Sequence, residues 1–167
     1  IKYKAGAPSC LISKRGGTNL AGFDLGYDDT GTVTLTLSDK ETELLSESVF
    51  HATKAIKMDD WNYLAVVASH KDKKVTFYVG GKKVKECGDF KAGDISNPDN
   101  FNIAYGEYLP NAQAHGLIRQ ARVWKLTKGM PVEIDKVVAA HQQDAAKVSD
   151  ALKGAADYSS WTFDAGN

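Results

Sequence analysis

The sequence predicts an all-β fold, an antiparallel two-sheet sandwich with one C-terminal α-helix and a closing C-terminal strand. Many short runs alternate apolar and polar residues with a period of two, and clusters of turn residues separate them at regular spacing. One late segment instead repeats its apolar residues at three- and four-residue steps, the period of a helix. A final short run at 158–164 then returns to a strand pattern.

Length and composition fit one soluble domain spanning residues 1–167. The 167 residues are long enough to bury a core, and 43% hydrophobic with 25% charged residues is ordinary for a globular domain. Acidic and basic residues balance at 21 each, so no overall field favours nucleic acid or an anionic membrane. The apolar run at 64–68 is far too short to cross a bilayer.

The segment 60–86 is the predicted centre of the fold. Its first run is apolar on both faces, which predicts a central strand covered on both sides. Its second run alternates, with Val75, Phe77 and Val79 on a dry face and Lys74, Thr76 and Tyr78 on a wetter one. The pair Gly80-Gly81 supplies the positive φ angles of a tight hairpin turn.

Strands are also predicted in the first third of the chain. Residues 1–4 resemble the tail of a strand, and 10–14 form a short strand. Residues 22–27 and 32–38 form a hairpin through the turn at 28–31. An acidic loop at 39–47 leads into a weaker strand at 49–56.

The last third combines strands with the helix. Strands are predicted at 101–105 and 116–126, joined by a loop at 106–115. A helix at about 131–153 follows, with Pro131 in its first turn and Gly154 at its end.

The central segment WNYLAVVASHKDKKVTFYVGGKKV resembles the core of laminin-G-like jelly rolls of the concanavalin A-like lectin/glucanase superfamily. The segments CLISKRG, GFDLGYDDTGTVTLTL, FNIAYG and GLIRQARVWKL stand in the order that this family has, so the resemblance covers residues 1–138. It implies a jelly-roll topology. Gly80-Gly81 replaces the Asp-Gly usual at the hairpin, and Arg119-Gln120 replaces an acidic pair, which weakens transfer of a family metal site.

The two ends of the chain are arranged differently from the family. A strand like WTFD usually opens such a domain and pairs near the strand that GLIRQARVWK resembles, but here it closes the chain. We expect residues 158–164 to fill that place in the sheet, because an empty place leaves strand edges open. The alternative is that they begin a second module.

No catalytic residues are predicted. A glucanase of this fold needs two carboxylates flanking the scissile bond, usually on one strand as E-x-D-x-x-E, and no strand here carries that pattern. Nucleophile-elbow, zinc-protease, phosphate-loop and dinucleotide motifs are absent from the sequence as well. We therefore expect a protein that is not an enzyme.

A sugar site needs an exposed aromatic ring with planar polar groups beside it. The loop around 105–108 supplies the best candidates, namely Tyr105, Tyr108, Asn102, Glu107 and Asn111, and Tyr27 beside Asp28 is a second candidate. We expect Trp61, Trp124 and Trp161 to be core residues rather than sugar platforms. The lysines of the central hairpin either meet an acidic glycan or solvate an exposed strand.

Calcium is the cofactor that the family resemblance suggests, because this fold often holds it in loops. It requires hard oxygen ligands. Asp28 and Asp29 in one turn and Asp99 in another could supply them, but such residues also make turns by bonding their own backbone. Cys10 and Cys87 either form one disulfide or remain two small thiols.

The predicted function is that of a non-catalytic binding module, with a glycan as ligand. The alternatives are a protein–protein adhesion or assembly module without a sugar site, and a glycoside hydrolase of the same superfamily. The expected partners are a glycan or a cell-surface or matrix protein, with no nucleic acid and no membrane insertion. We expect an extracellular, periplasmic or cell-surface location within a larger multidomain protein.

Overall fold

Short alternating runs become strands throughout the part of the chain that the computed structural model describes, which comprises residues 1–3, 8–15, 21–39, 48–88, 91–106, 113–126, 135, 138 and 156–162. Within these residues the chain forms twelve strands, and all named pairings are antiparallel. The strands are β1 (Lys2–Tyr3), β2 (Ser9–Arg15), β3 (Gly22–Tyr27), β4 (Val33–Ser38), β5 (Ser48–Ala52), β6 (Leu64–Ser69), β7 (Lys74–Val79), β8 (Lys82–Cys87), β9 (Asn102–Ile103), β10 (Gly116–Leu117), β11 (Gln120–Leu126) and β12 (Ala156–Thr162). The predicted all-β antiparallel architecture is confirmed.

The larger sheet has five strands in the order β5-β4-β3-β2-β9. The predicted hairpin is β3 and β4, which pair from Tyr27 with Val33 to Gly22 with Ser38. Its turn is held by Asp28, whose backbone N–H donates to the carbonyl of Thr32 at 3.0 Å. A bulge between Cys10 and Ile12 on β2 shifts the register against β3.

The smaller sheet has the order β6-β7-β8 and contains the predicted central segment. Gly80 and Gly81 form its second turn with φ angles of +58° and +72°. The prediction that β6 is a central strand covered on both sides is wrong for the described residues. The middle strand is β7, and Ala68 of β6 is exposed.

One continuous core lies between the inward faces of the two sheets. Phe77, Val75 and Val33 have no exposed surface, and Leu25, Leu35 and Phe50 pack with them. Removing such side chains from water is the main favourable term in the stability of a domain of this size. The dry interior predicted from the period-two pattern is therefore present.

Tyr78 is an exception to that pattern. Alternation places it on the wetter face of β7, but its side chain is only 2% exposed. A register shift between Phe77 and Tyr78 interrupts the pairing of β7 with β8. The Tyr78 hydroxyl donates to Oδ1 of Asp135 at 2.6 Å, so a later part of the chain covers this face.

Two short ladders complete the described structure. Strand β12 pairs with β11 over seven positions, from Gln120 with Thr162 to Leu126 with Ala156. The expectation that the closing run pairs with this strand is thus confirmed, and the pairing spans residues 156–162 of the described part of the chain. Strand β1 pairs with β10, and Lys2 also bridges to Trp61.

The predicted helix at 131–153 lies outside the described residues except at two positions. Asp135 and Val138 both have helical backbone conformation, and Val138 is 5% exposed. In the described part of the chain, no helix has the length and apolar character needed to cross a bilayer.

Candidate functional site

The five-stranded sheet has one face that does not join the apolar core. Register aligns Asn102, Ser13, Asp24 and Thr36 in a row across four strands. Side chains two positions away share that side of the sheet. We call this surface the polar face, and its residues are Cys10, Ser13, Arg15, Gly22, Asp24, Gly26, Thr34, Thr36, Ser38, Val49, His51 and Asn102.

One half of the polar face is buried. Arg15, Ser13 and Ser38 have exposures of 2%, 0% and 3%, and Asp24 has 9%. Nη1 of Arg15 lies 3.4 Å from Oδ2 of Asp24, so the two charges form a buried ion pair. Such a pair compensates part of the cost of removing both groups from water.

Three oxygens in this buried half have no hydrogen-bond partner among the described residues. They are Oγ of Ser13, Oδ1 of Asp24 and Oγ of Ser38, one on each of three adjacent strands. A buried polar atom without a partner costs about 1–3 kcal/mol. In folded proteins such atoms are satisfied by ordered water or an ion, or they take part in a functional contact.

The other half of the polar face is accessible. Thr34, Thr36 and Asn102 are half-buried, and His51 is exposed. The hydroxyl of Thr34 and Nδ1 of His51 lie 3.0 Å apart in a hydrogen bond. Hydroxyl, amide and imidazole groups supply hydrogen-bond donors and acceptors, which is the chemistry needed to bind sugar hydroxyls.

Part of the predicted sugar cluster borders this surface. Tyr105 is 40% exposed and follows β9, and Asn102 lies on the polar face opposite Ser13. Between them Ala104 has a positive φ of 64°, and its N–H donates to the carbonyl of Leu11 at 2.8 Å. The other predicted members, Glu107, Tyr108 and Asn111, lie outside the described residues.

Tyr27 does not form the second sugar platform that we expected. Its ring belongs to the core and is 4% exposed, because β3 directs it inward opposite Val33. Its hydroxyl donates to the carbonyl of His115 at 2.9 Å. Tyr27 is therefore a packing residue in this structure.

Asp28 serves its own turn. Its Oδ1 accepts hydrogen bonds from the N–H and hydroxyl of Thr30, at 2.9 and 2.6 Å, and from the N–H of Thr32 at 2.9 Å. Asp29 is exposed beside it. These bonds occupy one of the oxygens that a calcium ion would need.

Asp99 lies at the other end of β3 from Asp28, because its loop contacts Lys14, which pairs with Phe23. The Lys14 ammonium donates to the carbonyls of Asp99 and Asn97, at 2.8 and 3.1 Å. An ammonium thus uses the oxygens of this loop. Across the described ranges, no three carboxylate, histidine or cysteine side chains are grouped as metal ligands.

The two cysteines are both free thiols, so the disulfide that we considered is not formed. Sγ of Cys10 donates weakly to the carbonyl of Leu25 at 3.8 Å, whereas Cys87 pairs with Val75 in the other sheet. Burial, together with the negative charge of Asp24, raises the pKa of Cys10 to about 12. Cys10 is therefore protonated and unreactive at neutral pH.

Trp61 corrects the expectation for the tryptophans. Its side chain is 52% exposed, so it is not a core residue, because it precedes β6 on a bridge to the short strand β1. Trp124 is half-buried, and the side chain of Trp161 lies outside the description.

Sequence reasoning identified only the margin of the polar face. The alternation of Thr34 and Thr36 with the apolar residues of β4 was visible. Ser13 on β2 and Asp24 on β3 also stand at alternate positions in strand-like runs. The pairing register was needed to show that these residues form one surface.

Comparison with known proteins relates most of the described strands to one superfamily. A family model described as the concanavalin A-like lectin/glucanases superfamily matches residues 2–129. No curated protein sequence matches the chain.

Several solved structures share the fold. The Ruminococcus gnavus IT-sialidase CBM40 has a TM-score of 0.54 and 19% identity, covering 68% of this chain and 64% of that chain. The same CBM40 bound to alpha2,3 sialyllactose has a TM-score of 0.55 and 18% identity, covering 68% and 67%. A structure of NanB plus Optactamide has a TM-score of 0.55 and 21% identity, covering 70% of this chain but only 20% of that chain.

Proposed function

The chain belongs to the concanavalin A-like lectin/glucanases superfamily, and from this premise we propose that it is a non-catalytic module that binds a glycan through the polar face. The proposal rests mainly on the accessible half of the polar face, where Thr34, Thr36, His51 and Asn102 offer polar groups at the surface of the five-stranded sheet. Sugar hydroxyls bind such groups through hydrogen bonds. The exposed ring of Tyr105 at the margin offers a surface for the CH face of a sugar.

The charges on the polar face support binding rather than hydrolysis. Glycoside hydrolysis uses two carboxyl groups on opposite sides of the scissile bond. Asp24 is the only acidic residue of the polar face as we define it, and it is paired with Arg15. A ligand on this face would meet no second carboxyl group from these strands.

The structural relatives support a glycan as the partner. The Ruminococcus gnavus CBM40 structures contain sialyllactose, a glycan, on a fold like that of this chain. Because fold alone does not fix a ligand, the accessible polar groups of this chain carry the proposal. A glycan partner implies an extracellular, periplasmic or cell-surface location, and a binding module of this kind works as part of a larger multidomain protein.

A glycan array probed with the labelled chain tests the function, and calorimetric titration of the strongest ligand tests the site. We expect Thr36→Val and Asn102→Ala each to weaken binding about threefold to tenfold, the effect of one lost hydrogen bond. Thr76→Val on β7 of the other sheet is the matched control, since it makes the same chemical change at a half-buried position. Its affinity should equal that of the unmodified chain.

An array without any bound glycan would overturn the proposal in favour of a protein–protein adhesion module. Binding that is unaffected by both polar-face substitutions would show that the glycan lies elsewhere on the chain. Melting temperatures of all variants confirm that each one is folded.

A further inference from the structure

A row of three side chains stands on the outer surface of the short strand β1. Lys2 pairs with Leu117 of β10 on one side and bridges to Trp61 on the other. Paired residues in adjacent strands direct their side chains to the same face, about 5 Å apart. Leu117 is 61% and Trp61 52% exposed, and Lys2 between them is half-buried. We call these three residues the Trp61 row.

The residues next to the row point the other way. Ile1 and Ile118 pack against the core, and Asn62 is 9% exposed. The backbones of Ile1 and Asn62 exchange two hydrogen bonds, at 2.6 and 2.7 Å. The exposure of Trp61 therefore follows from the alternation of a paired strand and not from a loose loop.

The loop before Trp61 is fixed by one buried amide. Nδ2 of Asn62 donates to the carbonyls of Lys57 and Asp60, each at 2.8 Å. Oδ1 of Asn62 accepts from the N–H of Lys57 at 2.9 Å, and Asp59 holds a positive φ of 58° within the turn. A large aromatic ring held on a rigid support loses little entropy when it binds a partner, which is typical of binding sites.

Cations at the row offer a partner for an anionic group on the ligand, although the exposed Asp59 and Asp60 directly precede Trp61. Lys2 lies in the middle of the row, and Arg119, two positions after Leu117, is also exposed. Asp60 is the nearest acidic residue along the chain, and its Oδ1 accepts a hydrogen bond from the N–H of Trp61 at 2.8 Å. A ring lying on the indole would have an ammonium beside it.

We propose that the Trp61 row is a second glycan-contact site, in which the indole of Trp61 stacks on a carboxylate-bearing pyranose sugar and Lys2 binds its carboxylate. This inference rests on the proposed glycan-binding function and adds a ligand class and a site to it. The CH face of the sugar supplies the apolar contact, and the carboxylate pairs with the cation. Among the described residues of the polar face, the cation Arg15 is paired with Asp24. The polar face would therefore bind sugar hydroxyls, and the Trp61 row would bind the carboxylate.

Titration of the full chain with alpha2,3 sialyllactose and with lactose tests the proposal, because these probes differ by one carboxylate-bearing sugar. The indole N–H signals of the three tryptophans are followed by NMR, and Trp61→Phe assigns the signal of Trp61. We expect sialyllactose to shift that signal and lactose to leave it unchanged. Trp61→Ala should weaken sialyllactose binding at least about tenfold, whereas Trp61→Phe retains part of the affinity.

Two further variants separate stacking from charge. Lys2→Gln should weaken sialyllactose binding about threefold to tenfold without changing the melting temperature. Val84→Ala on β8 is the control, since Val84 is also an exposed apolar residue, at 47% against 52% for Trp61, and lies in a different strand.

The outcomes distinguish this inference from the proposed function. An unshifted Trp61 signal overturns the inference. Shifts of the Thr34 and Thr36 amide signals in the same titration would still support glycan binding at the polar face. A shifted Trp61 signal, combined with unchanged binding in Thr36→Val, would support the Trp61 row as a glycan site and overturn that role for the polar face. An equal response to lactose would overturn the role of Lys2 as a carboxylate ligand.

Discussion

The hydroxyl of Tyr78 donates a hydrogen bond to Oδ1 of Asp135 at 2.6 Å, and this bond joins the middle strand of the smaller sheet to a residue 57 positions later. Tyr78 is 2% exposed, so its ring is withdrawn from water, whereas the acceptor lies at the surface. Asp135 is exposed, and its carboxylate remains solvated when the phenol is lost.

A double-mutant cycle measures this link. Tyr78→Phe and Asp135→Ala should each destabilise the chain, with a coupling energy of about 1–2 kcal/mol for a hydrogen bond to a charged acceptor. Urea unfolding followed by circular dichroism gives all four free energies. Additive effects of the two substitutions would show that the bond contributes nothing to stability.

Two tyrosines, the buried Tyr78 and the half-buried Tyr63, predict a loss of stability at alkaline pH. Burial raises the pKa of Tyr63 to about 12, with the charge of Arg122 opposing the shift. Burial, followed by the hydrogen bond and charge of Asp135, also raises the pKa of Tyr78. The folded chain holds these protons more tightly than the unfolded chain, in which tyrosine titrates near about 10, so stability is full below that pH and falls above it.

The measurement is the urea midpoint between neutral pH and about pH 12, together with the absorbance of tyrosinate. Tyr63→Phe and Tyr78→Phe should each flatten the alkaline fall. These variants are needed because the pKa of Lys74 is also raised, by its hydrogen bond to Glu86, and contributes in the same direction. A midpoint that stays constant over this range contradicts the prediction.

Gly22 is predicted to tolerate no side chain. It has a φ of +131°, and an added Cβ would lie 1.8 Å from the carbonyl oxygen of Lys14 and 2.6 Å from Nδ2 of Asn97. Gly22→Ala should therefore destabilise the chain by more than about 1 kcal/mol. Gly88→Ala is the matched control, because an added Cβ there meets no atom within 4 Å. Equal unfolding midpoints for the two variants would be inconsistent with this geometry.

The two thiols should react at different rates. Cys10 is 3% exposed with its pKa raised to about 12, whereas Cys87 is half-buried. We expect an alkylating reagent at neutral pH to modify Cys87 in the folded chain and Cys10 only after unfolding. Mass spectrometry of peptides containing each residue checks the order. Recovery of a Cys10–Cys87 disulfide from the oxidised chain would instead support the pairing that this structure lacks.

Asp28 should matter for its turn and not for calcium. Burial raises the pKa of Asp28, but hydrogen bonds from Thr30 and Thr32 outweigh it and lower the pKa overall. Asp28→Ala should cost about 1 kcal/mol through these lost bonds, whereas Asp29→Ala, at an exposed position, should cost little. Calcium added to either variant or to the unmodified chain should leave the melting temperature unchanged. A rise with calcium that Asp28→Ala abolishes would restore the metal interpretation.

Local pattern was sufficient for most strands and for the core. The hairpin of β3 and β4 and the burial of Phe77 follow from alternation and turn residues. The same pattern misplaced Tyr78, because a bulge and a distant segment changed its surroundings. It also misplaced Trp61, which we expected in the core. The direction of its side chain is set by its bridge to Lys2, and the sequence around Trp61 does not reveal that bridge.

The candidate site was less accessible to prediction than the fold. Tyr27 and Tyr105 both lie beside polar residues in the sequence, so both were candidate sugar platforms. In the structure, strand pairing directs Tyr27 into the core, and Tyr105 is exposed. Ser13 and Asp24 are eleven positions apart along the chain and become neighbours only when β2 and β3 pair. Which strands pair, and in which register, depends on residues far apart in the sequence, so a short stretch of sequence does not predict it.

Strand β11 obtains its partner from residues 156–162, after the helix-patterned segment has been synthesised. During translation β11 emerges from the ribosome long before β12 does. The edge of β11 that pairs with β12 is therefore without that partner during this interval, when pairing with another chain competes with folding.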